Sequence, residues 1–478
     1  MTEAALRPFF EPRSVAVVGA SATKGKAGYF LYRNLLEGGF RGALYPINPG
    51  SKRVLGSRTY ASIADVPRRV DLAFLIVSAP HVVPALRDCA RRGVKAVTIV
   101  TAGFAEIGEE GRARQAEIAA FLRVNRMRAV GPNSVGLVSA PNALMGSFVP
   151  FPTWPTGRVA VAAQTGIFTG AFADQLAARS TQRIGFSRSL CLGNSIDIDE
   201  VDFLEYAARD RETDVVAVHL ESFKRARAFL SAANRIKRIK PIVVMKTGRT
   251  AEGAQAAASH SGALAAQDRV VDAALKQYGV VRATTLDDFI GIAKALAWLP
   301  VPRGNRVGIV TLSGAMGVMA VDEMHGTGLT LARFSPVTVA AVSRYLPDWQ
   351  PVRNPADVWM ALSVGADKAH AGVLGAVLDD PGVDILLCIL LPIPNADFSA
   401  VHQVFARLRR AHTAKPIVLV LVGGRVKERW LREIEPLRLP VYSDPAVAVR
   451  ALEAVRFAGE RRSRVCLDPG LPQPERAQ

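Results

Sequence analysis

Short apolar runs ending in small or polar residues recur through the first 140 positions: SVAVVGAS, GALYPINP, VDLAFLIVSAP, VKAVTIVTAGFAE and MRAVGPNS, with helical patterns between them. This alternation leaves little choice of fold. Parallel strands need helix-sized crossovers, and the crossovers cover both faces of the sheet, so the pattern predicts an α/β chain with a parallel, doubly wound sheet.

The rest of the chain reads as two copies of a related unit. GRVAVAAQTG at Gly157 matches NRVGIVTLSG at Asn305, and KPIVVMKTGR at Lys240 matches KPIVLVLVGGR at Lys415. Each copy also has an Asp-preceded strand, DVVAVHLE at Asp214 and DILLCILLP at Asp384. With 478 residues, about three domains are expected. We place a Rossmann-like domain at 1–140, a proline-rich linker at 141–156, a first α/β domain at 157–299, a second at 300–458 and a polar tail at 459–478. The first copy carries extra residues around AAASHSGALAAQDR, read as a functional loop because small residues about one histidine are hard to explain as packing.

Composition narrows the function. Hydrophobic residues make up 49% and charged residues 21%, which excludes a disordered or fibrous chain. The longest apolar run, Ile385 to Ile393, is too short to span a bilayer, and Glu3 and Pro8 interrupt the opening MTEAALRPFF where a signal peptide would be apolar. A cytoplasmic protein is expected. Cys89, Cys191, Cys388 and Cys466 lack CxxC spacing, so no metal site is expected. The net charge of +18 favours anionic ligands, but the cations are spread without aromatic interleaving, so nucleic acid is a poor candidate beside phosphorylated small molecules.

VAVVGASATKGKAG places backbone N–H groups and a helix start where a phosphate can sit. Gly19 and Gly25 are one residue too far apart for a P-loop, and Ala27 follows Lys26 where a hydroxyl is needed. Ser21 stands at a glycine position of the NAD fingerprint, and 40–58 contains no acid for a ribose. A nucleotide with extra phosphate, met by Lys24, Lys26, Lys52 and Arg53, fits better. Thr165-Gly166 and Ser313-Gly314 each follow an apolar strand and can seat an anion at a helix start. His260 lies beside Ser259, Ser261 and Gly262. A neutral imidazole attacks phosphorus well, and a phosphohistidine needs a carboxylate on its other nitrogen, for which Glu221 is placed.

The ordered set GAS…G, YPINP, VSAP, TAGFAEIG, GPNS, AQTG, LGNSIDIDEVDFLEY, HLES, KPIVVMKTGRTAEGAQAAASHSGALA, NRVGIVTLSGAMGV and NPADV resembles the α subunit of ADP-forming acyl-CoA synthetases, relatives of succinyl-CoA synthetase. The resemblance runs from Pro8 to Phe457. It implies a CoA-binding Rossmann-like domain followed by two flavodoxin-like ligase domains. It implies that His260 is transiently phosphorylated with Glu221 in support, and that Gln164, Thr165, Gly166, Ser261 and Gly262 hold the phosphate. Coenzyme A would lie along Gly19, Ser21, Lys24, Gly28, Asn48, Pro49, Lys52, Ser78, Pro80 and Asn133. ATP or ADP and Mg2+ would be bound by a separate ATP-grasp partner of β-subunit type. Departures are Ser134 where many relatives have Cys, AQTG for SQSG, and LSGAMG for a more glycine-rich turn. A CoA-binding regulator without turnover is the alternative reading.

Overall fold

The structure is a computed structural model that describes residues 6–149, 156–166, 184–261, 267–364, 366–392 and 398–463. The described residues form two compact units, one running to Arg282 and the other beginning at Ala283.

The first unit contains two sheets. One has five parallel strands, β1 (Ser14–Val18), β2 (Ala43–Ile47), β3 (Leu72–Leu75), β4 (Ala96–Ile99) and β5 (Arg128–Val130), in the order β2-β1-β3-β4-β5. Val15, Val17, Leu72, Phe74 and Val97 are fully buried, as strands covered on both faces must be. The second sheet adds β6 (Gly136–Ser139), β7 (Leu144–Ser147), β8 (Thr156–Ala163), β9 (Phe186–Cys191), β10 (Val215–Leu220), β11 (Ile242–Lys246) and β12 (Val281–Ala283). Its order is β12-β11-β10-β8-β9-β6-β7. Strands β8 to β11 are parallel, while β6 and β7 form an antiparallel hairpin on the edge at β9.

That hairpin departs from the linker expected at 141–156. Leu144–Ser147 is a fully buried strand paired with β6. Asn34 reaches it from the helix Ala27–Glu37, donating to the carbonyls of Ser147 and Val149 at 2.8 Å each. The prolines that flank the strand hid its short alternation from a sequence reading.

The second unit holds β13 (Arg306–Thr311), β14 (Thr330–Leu331), β15 (Ala356–Asp357), β16 (Ile385–Leu390), β17 (Ile417–Leu421) and β18 (Val441–Tyr442), all parallel. The path is β14-β13-β16-β17-β18, with β15 also on β13. The helix Leu286–Trp298 belongs to this unit, upstream of the boundary at 299 expected from sequence, because it packs on the helix Pro445–Ser463. Lys294, fully buried, donates from Nζ to Glu435 Oε1 and to the Val441 carbonyl at 2.7 Å each, and Arg450 Nε meets Asp288 Oδ1 at 2.8 Å.

Candidate active site

The residues expected to bind coenzyme A lie at the carboxyl ends of β1, β2, β3 and β5, the edge where doubly wound sheets take ligands. After β1, Gly19 has φ +98°, and a Cβ there would stand 2.4 Å from the Ile76 carbonyl oxygen. A Cβ on Gly28 would stand 2.1 Å from the Gly19 carbonyl oxygen. Both glycines therefore let the helix Ala27–Glu37 start against the turn. Ser21 Oγ accepts the Thr23 N–H at 3.1 Å. Asn48 Nδ2 donates to the Ala20 carbonyl at 2.7 Å, and its Oδ1 accepts the Gly50 N–H at 2.8 Å, so this side chain shapes the turn. Lys24, Lys26, Lys52 and Arg53 are exposed around it, with Pro49. Ser78 Oγ lies 2.7 Å from His81 Nδ1, Pro80 is exposed, and Asn133 is exposed with its N–H donating to the Thr101 carbonyl at 2.8 Å.

Of the residues expected to handle phosphate, Thr165 and Gly166 lie with Gln164 after β8 and Glu221 follows β10, while His260 and Ser261 end the helix that comes after β11. Gln164 follows β8. Its Oε1 accepts the N–H groups of Glu221 at 2.5 Å and Ser222 at 3.1 Å, and its Nε2 donates to the Ser222 carbonyl at 2.9 Å. Its Oε1 and one of its two Nε2 hydrogens are thus engaged with the backbone around Glu221. Thr165 and Gly166 are half-buried, and a Cβ on Gly166 would stand 2.0 Å from Val135 Cγ2. The helix expected after this turn falls within 167–183, outside the described residues.

Glu221 directly follows β10, on a segment held from its far side. Glu200 Oε1 accepts the N–H groups of Lys224 at 2.8 Å and Arg225 at 3.1 Å. Arg225 pairs with Asp199 and, at 3.3 Å, with Asp202. Asp199 caps the helix Glu200–Arg209, accepting from the N–H groups of Val201 at 2.9 Å and Asp202 at 3.2 Å. These residues come from LGNSIDIDEVDFLEY, so the motif is a brace for the strand end.

His260 lies in the last turn of the helix Ala251–Ser261, which packs against the turn Ala105–Ile107 of TAGFAEIG. The loop expected here is therefore helical up to Ser261, and Gly262 falls outside the described residues. The cause is composition: alanine has the highest helix propensity, and Thr250 Oγ1 accepts the Gly253 N–H at 3.0 Å to start the helix.

Sequence reasoning missed two groups. His219 stands on β10 two residues before Glu221, hence on the same face of the strand, and is 4% exposed. Burial pushes its imidazole down to about 4, against the pull of the Glu221 carboxylate and with the push of Lys246. Lys246, also 4% exposed, ends β11 and donates from Nζ to the carbonyls of Thr247 at 2.6 Å and Gly248 at 3.2 Å. Burial lowers its pKa, countered by Asp268 and Glu221. Their signal was a polar residue closing an otherwise apolar strand. Ser134 is buried and donates from Oγ to the Cys191 carbonyl at 2.6 Å.

Family models for a CoA binding domain and a succinyl-CoA ligase like flavodoxin domain match residues 13–140 and 156–296. The chain is 36% identical over 461 residues to acetate–CoA ligase [ADP-forming] II of Archaeoglobus fulgidus, covering 96% of this chain and 67% of that one. It is 34% identical to the subunit alpha of acetate–CoA ligase [ADP-forming] II of Pyrococcus furiosus, covering 94% and 97%. Among solved structures it is similar to the dinucleotide forming acetyl-coenzyme A synthetase 1 of Candidatus Korarchaeum cryptofilum in complex with phosphate and ADP. The TM-score is 0.88 and the identity 31%, with 96% and 97% covered.

Proposed function

The chain belongs to the ADP-forming acetate–CoA ligase family, and from that membership we propose that it is the α-type subunit of an acyl-CoA synthetase. The enzyme interconverts acyl-CoA, ADP and phosphate with a carboxylic acid, coenzyme A and ATP, and coenzyme A is its substrate. The observation that carries the mechanism is the gathering of Gln164, His219, Glu221 and Lys246 at neighbouring strand ends.

A phosphate oxygen attacks the thioester carbonyl, the C–S bond breaks, and coenzyme A leaves as the thiolate with an acyl phosphate behind it. An imidazole nitrogen of His260 then attacks phosphorus, and the acyl O–P bond breaks to free the carboxylate. Glu221 accepts the N–H of the other ring nitrogen and holds the charge that develops there. A terminal phosphate oxygen of ADP finally takes the phosphoryl group, the N–P bond breaks, and the imidazole is neutral again. Thr165, Gly166, Ser261 and Gly262 seat the phosphoryl oxygens.

Coenzyme A lies along the edge carrying Gly19, Ser21, Gly28, Asn48, Pro49, Ser78, Pro80 and Asn133, with Lys24 and Lys52 on its phosphates. The glycine cradle that any Cβ would fill supports this placement. ATP or ADP and Mg2+ belong to an ATP-grasp partner. In support, the Pyrococcus alpha subunit is matched over 97% of its length but the Archaeoglobus ligase over only 67%. Among the described residues no group of three or more His, Cys, Asp or Glu is arranged to hold a metal, and no helix is long and apolar enough to cross a membrane. We place the enzyme in the cytoplasm.

Terminally labelled ATP, added to this chain with the ATP-grasp protein, tests the reading. Acid-labile, base-stable label on the wild type and none on His260→Ala is the expected result. An unlabelled wild type that still binds coenzyme A would overturn it in favour of a regulator.

A further inference from the structure

We propose that Gln164 and Glu200 are positioning residues that hold Glu221 in register with the phosphate turn; this rests on the phosphohistidine reading above. The stretch from Glu221 to Arg225 lies between β10 and the helix Ala226–Ile236, in neither. Such a stretch holds its shape only if its backbone donors find partners. Two side-chain oxygens supply them. Gln164 Oε1 takes the N–H groups of Glu221 and Ser222, and Glu200 Oε1 takes those of Lys224 and Arg225.

Glu200 is costly for a merely structural residue. It is fully buried, its Oε2 has no hydrogen-bond partner, and burial pushes its carboxyl up. A buried carboxylate oxygen left unpaired is destabilising, and such costs are retained where geometry matters. Gln164 is the residue immediately before Thr165-Gly166. Its amide therefore ties the turn that seats the phosphoryl group to the carboxylate that supports the histidine, and neither moves without the other. In-line transfer from acyl phosphate to imidazole depends on that spacing, because misplacement by about 1 Å costs on the order of 100-fold in rate. As a phosphate ligand, the role suggested by its place in AQTG, the side chain would have only its second Nε2 hydrogen to offer, since Oε1 and the other hydrogen are engaged with the backbone.

The test is steady-state ATP formation from acyl-CoA, ADP and varied phosphate, using the full chain with its nucleotide-binding partner. Gln164→Ala is expected to lower kcat by about 10- to 100-fold while KM for phosphate moves by less than about twofold. In a Glu221→Gln background the same substitution should add less than about twofold, since its effect passes through Glu221. A KM for phosphate raised about tenfold with kcat retained would overturn the proposal and make Gln164 a phosphate ligand. So would a loss that persists undiminished in the Glu221→Gln background. Should Gln164→Ala fold poorly, Glu200→Met keeps most of the side-chain volume but removes the accepting oxygen, and is expected to lose kcat several-fold, again only when Glu221 is present. A wild-type complex that forms no ATP overturns the functional reading and this role with it, whereas an active wild type with both variants at its rate overturns the clamp alone.

Discussion

The two copies of the repeated unit agree at one end of their sheets and differ at the other. At the amino-terminal ends, Arg158 pairs with Asp214 at 2.5 Å in the first copy and Arg306 with Asp384 at 2.8 Å in the second. Lys240 donates to the carbonyls of Ala207 and Asp210, and Lys415 to those of Leu378 and Asp380. At the carboxyl ends, the Gln164 N–H bonds the His219 carbonyl just as the Leu312 N–H bonds that of Ile389. That equivalence sets Gln164, His219, Glu221 and Lys246 against Leu312, Ile389, Leu391 and Leu421. Four polar groups in one copy are four aliphatic groups in the other. Even the turns after β8 and β13 differ: a Cβ on Gly166 would meet Val135, while one on Gly314 would stand 3.1 Å from Asp357 Oδ2, so a carboxylate stands beside the second turn. The scaffold was kept for stability at one edge and released for chemistry at the other.

The harshest way to break this comparison is at the strand ends. Glu221→Gln should lower the overall rate by about 100-fold or more through loss of charge stabilisation, while Leu391→Gln leaves kcat within about threefold. Equal losses in coupled ATP-formation assays would end the division between a chemical and a structural copy. Next come the shared lysines. Lys240→Met and Lys415→Met each strip two carbonyls of their donor, so each should cost about 1–3 kcal/mol in urea unfolding with kcat unchanged. A rate defect in either would show that the amino-terminal edge is not purely structural.

A pH titration sharpens the difference further. His219 stays neutral down to about 4 when folded, but its ordinary value is 6.5. Between those values the unfolded chain binds the extra proton, so stability present above 6.5 is lost as pH falls toward about 4. The slope contributed is at most about 1.4 kcal/mol per pH unit. His219→Ile, the residue of the other copy, should flatten that part of the curve; superimposable pH profiles for variant and wild type would refute the assignment. The smallest effect belongs to the surface pairs: Arg158→Ala and Arg306→Ala should each cost about 1 kcal/mol or less, and alike, in the same unfolding assay.

Much of this architecture was legible in the chain. Apolar runs ending in Gly, Ser or Pro located the strands, and the offset between GRVAVAAQTG and NRVGIVTLSG exposed the repeat with the correct pairing of Gln164 and Leu312. The tight turn after β1 was legible because Gly19 and Gly28 announce close approach. What escaped needed the third dimension. Leu144–Ser147 is a strand only because β6 offers it a ladder, and the helix Leu286–Trp298 joined the second unit through the buried Lys294–Glu435 pair. His260 was identified by its neighbours in sequence, yet the same small residues concealed a helix. The backbone bonds of the Gln164 amide were not legible, because a motif records which residue is present, not which groups its amide engages.

The hairpin of β6 and β7 has a bearing on how such enzymes can be recombined. Although it follows directly on the first sheet, it hydrogen-bonds to β9 of the second, with Ser139 opposite Arg188. Severing the chain at 140 would split the hairpin and leave a bare β-edge open to pairing with other molecules. Phe10 stacks on Tyr206 across the same seam with ring centroids 4.8 Å apart. A chimera joined at 140 should therefore aggregate, while one joined just after Ala283, between β12 and the helix Leu286–Trp298, inherits both sheets whole. The first two sheets of this chain are, in that sense, a single heritable part.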